Sequence, residues 1–313
     1  MGRETLQQQF TAALDAVIEQ AKTDRTVLAA LLCGSLSHDT VWEKSDIDLV
    51  FITVDGEKGA EDGVSINADG RNIHAMMMPR TEFRKAVEGV LRNSFVHSFL
   101  AKGKLLFTRD PTITDLCARL HDIGARDSEL QLLRAAIHAL PSIYKAHKWF
   151  VTRGDLDYTA LWILYAATPL ARAELFSRRM LADREVLPQA LTLNPKLFRL
   201  IYTDMLNAKK TPAKIEAALA AVDAYLQDLT PRAFAPIFEY LREAGDARSA
   251  RELEHHFQRN FNVGGVTTAC EYLADQGRIG RASTPVRLTK KSTAVLQELA
   301  FYSLEPPDEE DGL

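Results

Sequence analysis

Cys33 to Ile52 reads CGSLSHDTVWEKSDIDLVFI, and the rest of the chain is organised around it. An apolar run from Val27 to Cys33 stops at Gly34-Ser35. After a polar turn, Ser45 introduces Asp46-Ile47-Asp48, and a second apolar run continues from Leu49 to Thr53. Alternate side chains of a strand share a face, so Asp46 and Asp48 project together while Ile47 points into a core. Paired carboxylates on an apolar strand repel each other and are costly to desolvate. A divalent cation such as Mg²⁺ or Mn²⁺ relieves both costs, and Mg²⁺ typically arrives carrying phosphates. Gly34-Ser35 supplies the complement: glycine lets backbone approach a phosphate and serine adds a hydroxyl donor. The plain alternative is that Ser45-Asp46 ends a turn and Asp48 faces solvent on an edge strand.

A Gly-Ser pair, ten intervening residues and then Asp-x-Asp resembles the signature of the minimal nucleotidyltransferases, within the polymerase-β-like superfamily. The likeness covers roughly residues 25–110. It implies attack on the α-phosphate of a nucleoside triphosphate, ATP or another, with pyrophosphate leaving. Asp46 and Asp48 would hold the metal, Gly34 and Ser35 would grip phosphates, and Ser45 would orient Asp46 or simply close a turn. The resemblance also calls for a third carboxylate on a neighbouring strand. The strand expected to carry it, Asn72 to Met78, offers His74 there. A neutral imidazole can bind a metal or act as a base, but it adds no negative charge. Asp69 and Glu82 are the other acids within reach in sequence. Asp69-Gly70 fits a hairpin turn and Glu82 falls on the next helix. His38 and Asp39 lie between the Gly-Ser pair and the acids, where Asp39 suits a helix start.

Around this motif the pattern predicts a helix over residues 3–22 and strands at 27–33, 46–53, 64–67, 72–78 and 104–108. It also predicts a short helix near His38–Trp42 and another over Thr81–Arg92. The expected class is α+β: a small mixed sheet with helices in residues 1–110. Residues 111–232 then read as an all-α bundle punctuated by Pro141, Pro169, Pro188 and Pro195. The bundle's position resembles the helical substrate domain of related nucleotidyltransferases. Tyr144, Lys145 and Lys148 share a helix face there. The resemblance would bring the lysines to the triphosphate, whereas a solvated face is the plain reading. Arg134 and His138 share a face too, without ribonuclease-motif spacing.

Residues 233–304 resemble a winged helix. Three short helices precede a basic hairpin, with strands at 278–282 and 286–288 around Ser283-Thr284-Pro285 and a closing helix over 291–302. Arg278, Arg281, Arg287, Lys290 and Lys291 suit phosphate contacts. The expected recognition helix, Val263–Tyr272, however, has no Arg or Lys, and only Asn262, Thr267 and Thr268 could read base edges. DNA binding therefore competes with homodimerisation or docking of a protein partner. Residues 305–313 form an acidic tail expected to be disordered.

The 313-residue chain carries a formal net charge of −4, which excludes wholesale coating of nucleic acid. Cys33, Cys117 and Cys270 are far apart and without ligand spacing, so neither zinc nor disulfides are implied. No apolar run reaches a membrane-spanning length, and a cytoplasmic location is expected. Three functions follow. One is a metal-dependent nucleotidyltransferase acting on an unknown small-molecule or protein acceptor. The second is a degenerate nucleotide-binding regulator coupled to a DNA-binding or dimerising winged helix. The third is an antitoxin-like partner that modifies or sequesters another protein.

Overall fold

The computed structural model describes residues 5–38, 42–56, 63–87, 99–100, 103–120, 125–180, 182, 185–289, 291 and 293–305. Asp39, Lys290, the end of the helix expected up to Arg92 and the tail beyond 305 lie outside the described residues. So do the side chains of Ser35 and His38. The chain divides into two compact units, 1–123 and 124–313. The first unit therefore extends past the boundary expected at residue 110 and includes a further helix.

The first unit opens with α1 (Leu6–Ala21), started by a capping box in which Thr5 and Gln8 satisfy each other's backbone N–H. Its buried face of Phe10, Ala13, Leu14, Val17 and Ile18 covers a five-stranded sheet. The strands are β1 (Val27–Cys33), β2 (Ile47–Thr53), β3 (Val64–Ala68), β4 (Arg71–Pro79) and β5 (Lys104–Thr108), in the order β3-β4-β2-β1-β5. β2 and β4 run parallel, and all other neighbours are antiparallel. The Asp69-Gly70 turn forms as the sequence predicts. Both residues have positive φ, 48° and 75°, and Asn67 Oδ1 accepts from the Gly70 N–H.

Ala30, Leu32, Ile47, Leu49, Phe51, Ile73 and Ala75 gather under α1. The alternate set, Ala29, Leu31, Val50, Ile52 and Met78, is also buried and belongs to the other face. α2 (Arg80–Val87) packs against β2 and β4, and α3 (Pro111–Arg119) packs against β5 and α2. Asp55, just past β2, caps α2 by accepting from the Thr81 N–H and hydroxyl at 2.8 Å each.

The second unit is built on α4 (Ala125–Arg153) and α5 (Leu156–Ser177), with α6 (Val186–Leu193), short helical turns over 195–207 and α7 (Pro212–Ala233). Pro141 and Pro169 sit inside α4 and α5, whereas Pro195 starts one of the short turns. α8 (Ala235–Ala244), β6 (Arg248–Ser249), α9 (Ala250–Phe261), α10 (Val266–Asp275), β7 (Ile279–Val286) and β8 (Leu296–Ser303) complete it. Leu253, Phe257, Val263, Ile279 and Phe301 share one core with Leu133, Leu170 and Leu226. The segments expected as separate domains, 111–232 and 233–304, are therefore not separate cores. α3 belongs to the first unit, and the remainder forms one body.

Two local expectations change. Ser283-Thr284-Pro285 is not a turn but part of β7, pairing with Glu298, Gln297 and Leu299 of β8. β7 is an edge strand in the order β6-β8-β7, where proline's missing N–H is tolerated. The helix expected over 291–302 is strand β8 instead. Its 3- and 4-residue apolar spacing is outweighed by pairing with β6 and β7 on both sides.

Candidate functional site

The acids of the opening motif lie at one end of the sheet face that α1 does not cover. Ile47 is fully buried on the α1 side, so its neighbours Asp46 and Asp48 must face the other way. Along that face Val50 and Ile52 are buried, while Asp48 and Asp46 are only half-buried. The strand thus changes from core to site over two residues.

β1 supplies the glycine. In the antiparallel register Cys33 stands opposite Asp48, and Gly34 follows with φ +66°. A Cβ on Gly34 would fall inside contact distance of Asp48 Oδ2 and 2.9 Å from its Cγ. Glycine is therefore required twice over, by its left-handed backbone and by the carboxylate packed against it. A short 3₁₀ helix over Ser35–His38 begins immediately afterwards, and the Ser37 hydroxyl donates to the Gly34 carbonyl at 2.7 Å. Cys33 is fully buried, and desolvation, aided by the Asp48 charge, pushes its thiol up to about 12.

β4 supplies the neighbours. The parallel register sets Asp48 beside His74 and Ile47 beside Ile73, which brings Asn72 level with Asp46. The Asn72 amide nitrogen lies 3.0 Å from Asp46 Oδ1 and 2.8 Å from His74 Nε2. A carboxylate only accepts, so the group turned towards Asp46 is the –NH₂. An amide nitrogen donates and does not accept, so its contact with Nε2 selects the tautomer in which His74 carries its proton on Nδ1. Asn72 carries no charge and so does not stand out in the sequence as a ligand. The alternation rule that paired Asp46 with Asp48 also pairs Asn72 with His74, and that was the signal available.

The remaining candidates have other partners. Ser45 closes a tight turn: its hydroxyl accepts from the Trp42 N–H at 3.0 Å and its own N–H donates to the Trp42 carbonyl at 2.9 Å. Asp69 is held in the hairpin turn, and Glu82 starts α2 past the far end of β4. Lys145 and Lys148 belong to α4 in the second unit. There the Lys145 ammonium lies over the Trp162 ring, 5.3 Å from its centroid, and Lys148 is exposed.

The basic hairpin differs from what its composition suggests. Arg281 pairs with Asp275 at 2.8 Å and donates to the Glu271 carbonyl. Arg278 and Arg287 are exposed. No residue of α10 from Val266 to Ala274 is exposed, because the helix packs on α4. Its N-terminus is already capped: Glu254 accepts from the N–H groups of Gly265 and Thr267 at 3.1 and 2.8 Å. The helix expected to read bases thus keeps only a half-buried face, through Thr267, Thr268, Glu271 and Ala274, and has a carboxylate at its N-terminus where a phosphate would sit.

Whether the residues fit the divalent metal that the motif implies is decided by the donor set. Asp46 and Asp48 offer two hard carboxylates on one face, which suits one Mg²⁺ completed by phosphate and water oxygens. Among the described residues no group of three His, Cys, Asp or Glu could hold a metal ion. The donor set is therefore the two carboxylates, with the rest of an ion's shell left to phosphate and water oxygens. None of the described helices is long and apolar enough to cross a membrane.

No family model matches the chain, and no curated protein matches it. Among solved structures it is similar to a nucleotidyltransferase-like protein from Exiguobacterium sibiricum 255-15. The TM-score is 0.62 at 16% identity, over 95% of this chain and 100% of that one. At that identity the likeness establishes the fold: an α+β nucleotidyltransferase-type mixed sheet followed by a largely helical region.

Proposed function

We propose that this chain is a metal-dependent nucleotidyltransferase that transfers a nucleoside monophosphate from ATP, or another nucleoside triphosphate, to an acceptor hydroxyl. What carries the reading is Gly34: its positive φ and its contact with the Asp48 carboxylate hold a tight turn directly beside the two acids. A scaffold strand has no need of paired carboxylates, nor of a glycine cut to fit one of them.

In this reading the acceptor oxygen bonds to the α-phosphorus, the α–β phosphoanhydride bond breaks, pyrophosphate carries away the electron pair, and the acceptor proton passes to solvent. Asp46 and Asp48 would hold a divalent cation, which supplies charge neutralisation for the phosphates when bound. The Gly34 turn would let the phosphates approach the backbone. The His74 Nδ1–H would donate to an oxygen of the nucleotide or acceptor, with its ring direction set by Asn72.

The test is incubation with Mg²⁺ and α-labelled ATP in the presence of lysate or a panel of small hydroxylated acceptors. Label transfer by the wild type, lost in Asp46→Asn and in Asp48→Asn, is the expected result. Stoichiometric nucleotide binding without transfer to any acceptor would instead support a nucleotide-responsive regulator. One observation favours that second reading: His74 and Asn72 occupy the strand where the resemblance calls for a carboxylate. Its DNA-binding form is the weaker, given the Glu254 cap on α10 and the internal pairing of Arg281.

A further inference from the structure

The geometry points to a site that works with one divalent cation, in which the Asn72 amide takes the place that a second cation would fill. The inference rests on the nucleotidyltransferase reading above and concerns residues on β4 to which that reading gives no metal. A second ion would need a ligand from β4 as well as an acid of β2, and the β4 atom nearest at hand is His74 Nε2. The Asn72 nitrogen already lies 3.0 Å from Asp46 Oδ1 and 2.8 Å from His74 Nε2, and an amide nitrogen can only donate to each.

An –NH₂ group donating to both lone pairs performs the electrostatic task of a cation at that point, with partial rather than full charge. It also takes up the one lone pair of His74 Nε2, which a second ion would need. The ligand chemistry agrees. Mg²⁺ is a hard ion that prefers oxygen, and a neutral imidazole adds no charge to offset its dehydration. Asn72 is therefore a positioning residue: it fixes Asp46 for the one cation and turns the His74 ring so that Nδ1–H faces outward.

Equilibrium dialysis of the full chain with Mn²⁺ and the non-hydrolysable analogue α,β-methylene-ATP counts both ligands, and electron paramagnetic resonance reads the state of the metal. Wild type is expected to retain one Mn²⁺ per bound analogue. The double variant Asn72→Ala, His74→Asp clears the amide and restores a third carboxylate, and is expected to retain two, with the spin–spin broadening of a close Mn²⁺ pair. Asn72→Asp is the second variant, with the same expectation by a different route should the double variant fail to fold. Two ions on the wild type, or both variants folded and remaining at one, overturns the inference and leaves the nucleotidyltransferase reading intact. A wild type that retains neither Mn²⁺ nor analogue, like an Asp46→Asn, Asp48→Asn control, overturns the reading beneath it.

Discussion

Two regions of this chain look from their composition as though they were made for phosphate: the Gly34–Asp48 stretch and the basic hairpin at residues 278–291. The fold treats them in opposite ways. At the first, the strand that carries the acids is buried from Leu49 onward and opens only at Asp48 and Asp46, so the charged groups are left partly accessible. At the second, the helix beside the hairpin is packed on α4, its N-terminus is taken by Glu254, and Arg281 is spent on Asp275. Charge in a sequence marks a candidate; what decides is whether the fold leaves that charge open to solvent at the end of a buried strand or sets it in a closed internal pair.

The largest effect that can break this contrast is at Gly34. Gly34→Ala must place a Cβ against the Asp48 carboxylate at a φ of +66°. We expect a loss of roughly 1–3 kcal/mol in denaturant unfolding, as for other strained left-handed positions. Nucleotide binding should fall below detection. If the variant binds nucleotide as the wild type does, the turn is ordinary packing and the first region loses its special standing.

Next comes the cap of α10. Glu254→Ala leaves two backbone N–H groups without their acceptor and should cost about 1 kcal/mol, read as a drop in thermal midpoint. A rise in salt-sensitive duplex binding in the same variant would show that the helix end is a nucleic-acid site held closed. Unchanged binding keeps it structural.

Smaller still is Arg281→Ala, which removes a half-exposed ion pair and should change stability by less than about 1 kcal/mol. If the wild type binds duplex DNA in low salt and this substitution abolishes it, the contrast between the two regions fails. The smallest effect lies between α4 and α7, where His147 faces Asp223 at 3.0 Å. The hydrogen bond to that carboxylate raises the imidazole above its ordinary 6.5 against opposing desolvation. The folded value exceeds the unfolded one, so the stabilisation is fully present below pH 6.5 and fades as pH rises through the raised value. His147→Gln should flatten a slight decline in thermal midpoint between pH 6 and 8.

Much of the first unit was legible because its signals are local. A period of two fixed which way Asp46, Ile47 and Asp48 point, and Asp69-Gly70 fixed the hairpin that delivers β4. The order of strands and the parallel pairing of β2 with β4 then place His74 beside Asp48. Asn72 was missed because its part arises only from that register: an amide becomes significant when two acceptors converge on it from different strands. The end of the chain was misread for a related reason. Leu296, Leu299 and Ala300 have helical spacing, and only pairing with β7 along their length, joined by β6 at Ala300, makes them a strand. The packing of α10 on α4 is equally invisible in sequence, since it joins residues more than a hundred positions apart.

The burial of Cys33 opposite Asp48 has a practical consequence. A thiol held near 12 is almost wholly uncharged at neutral pH, so alkylating and disulfide-forming reagents have no thiolate to meet while the sheet is closed. Modification must wait for β1 and β2 to part. The rate at which Cys33 is labelled is therefore a clock for local opening of the strand pair that carries the acids, and slowing of that clock by nucleotide would register occupancy without any acceptor being known.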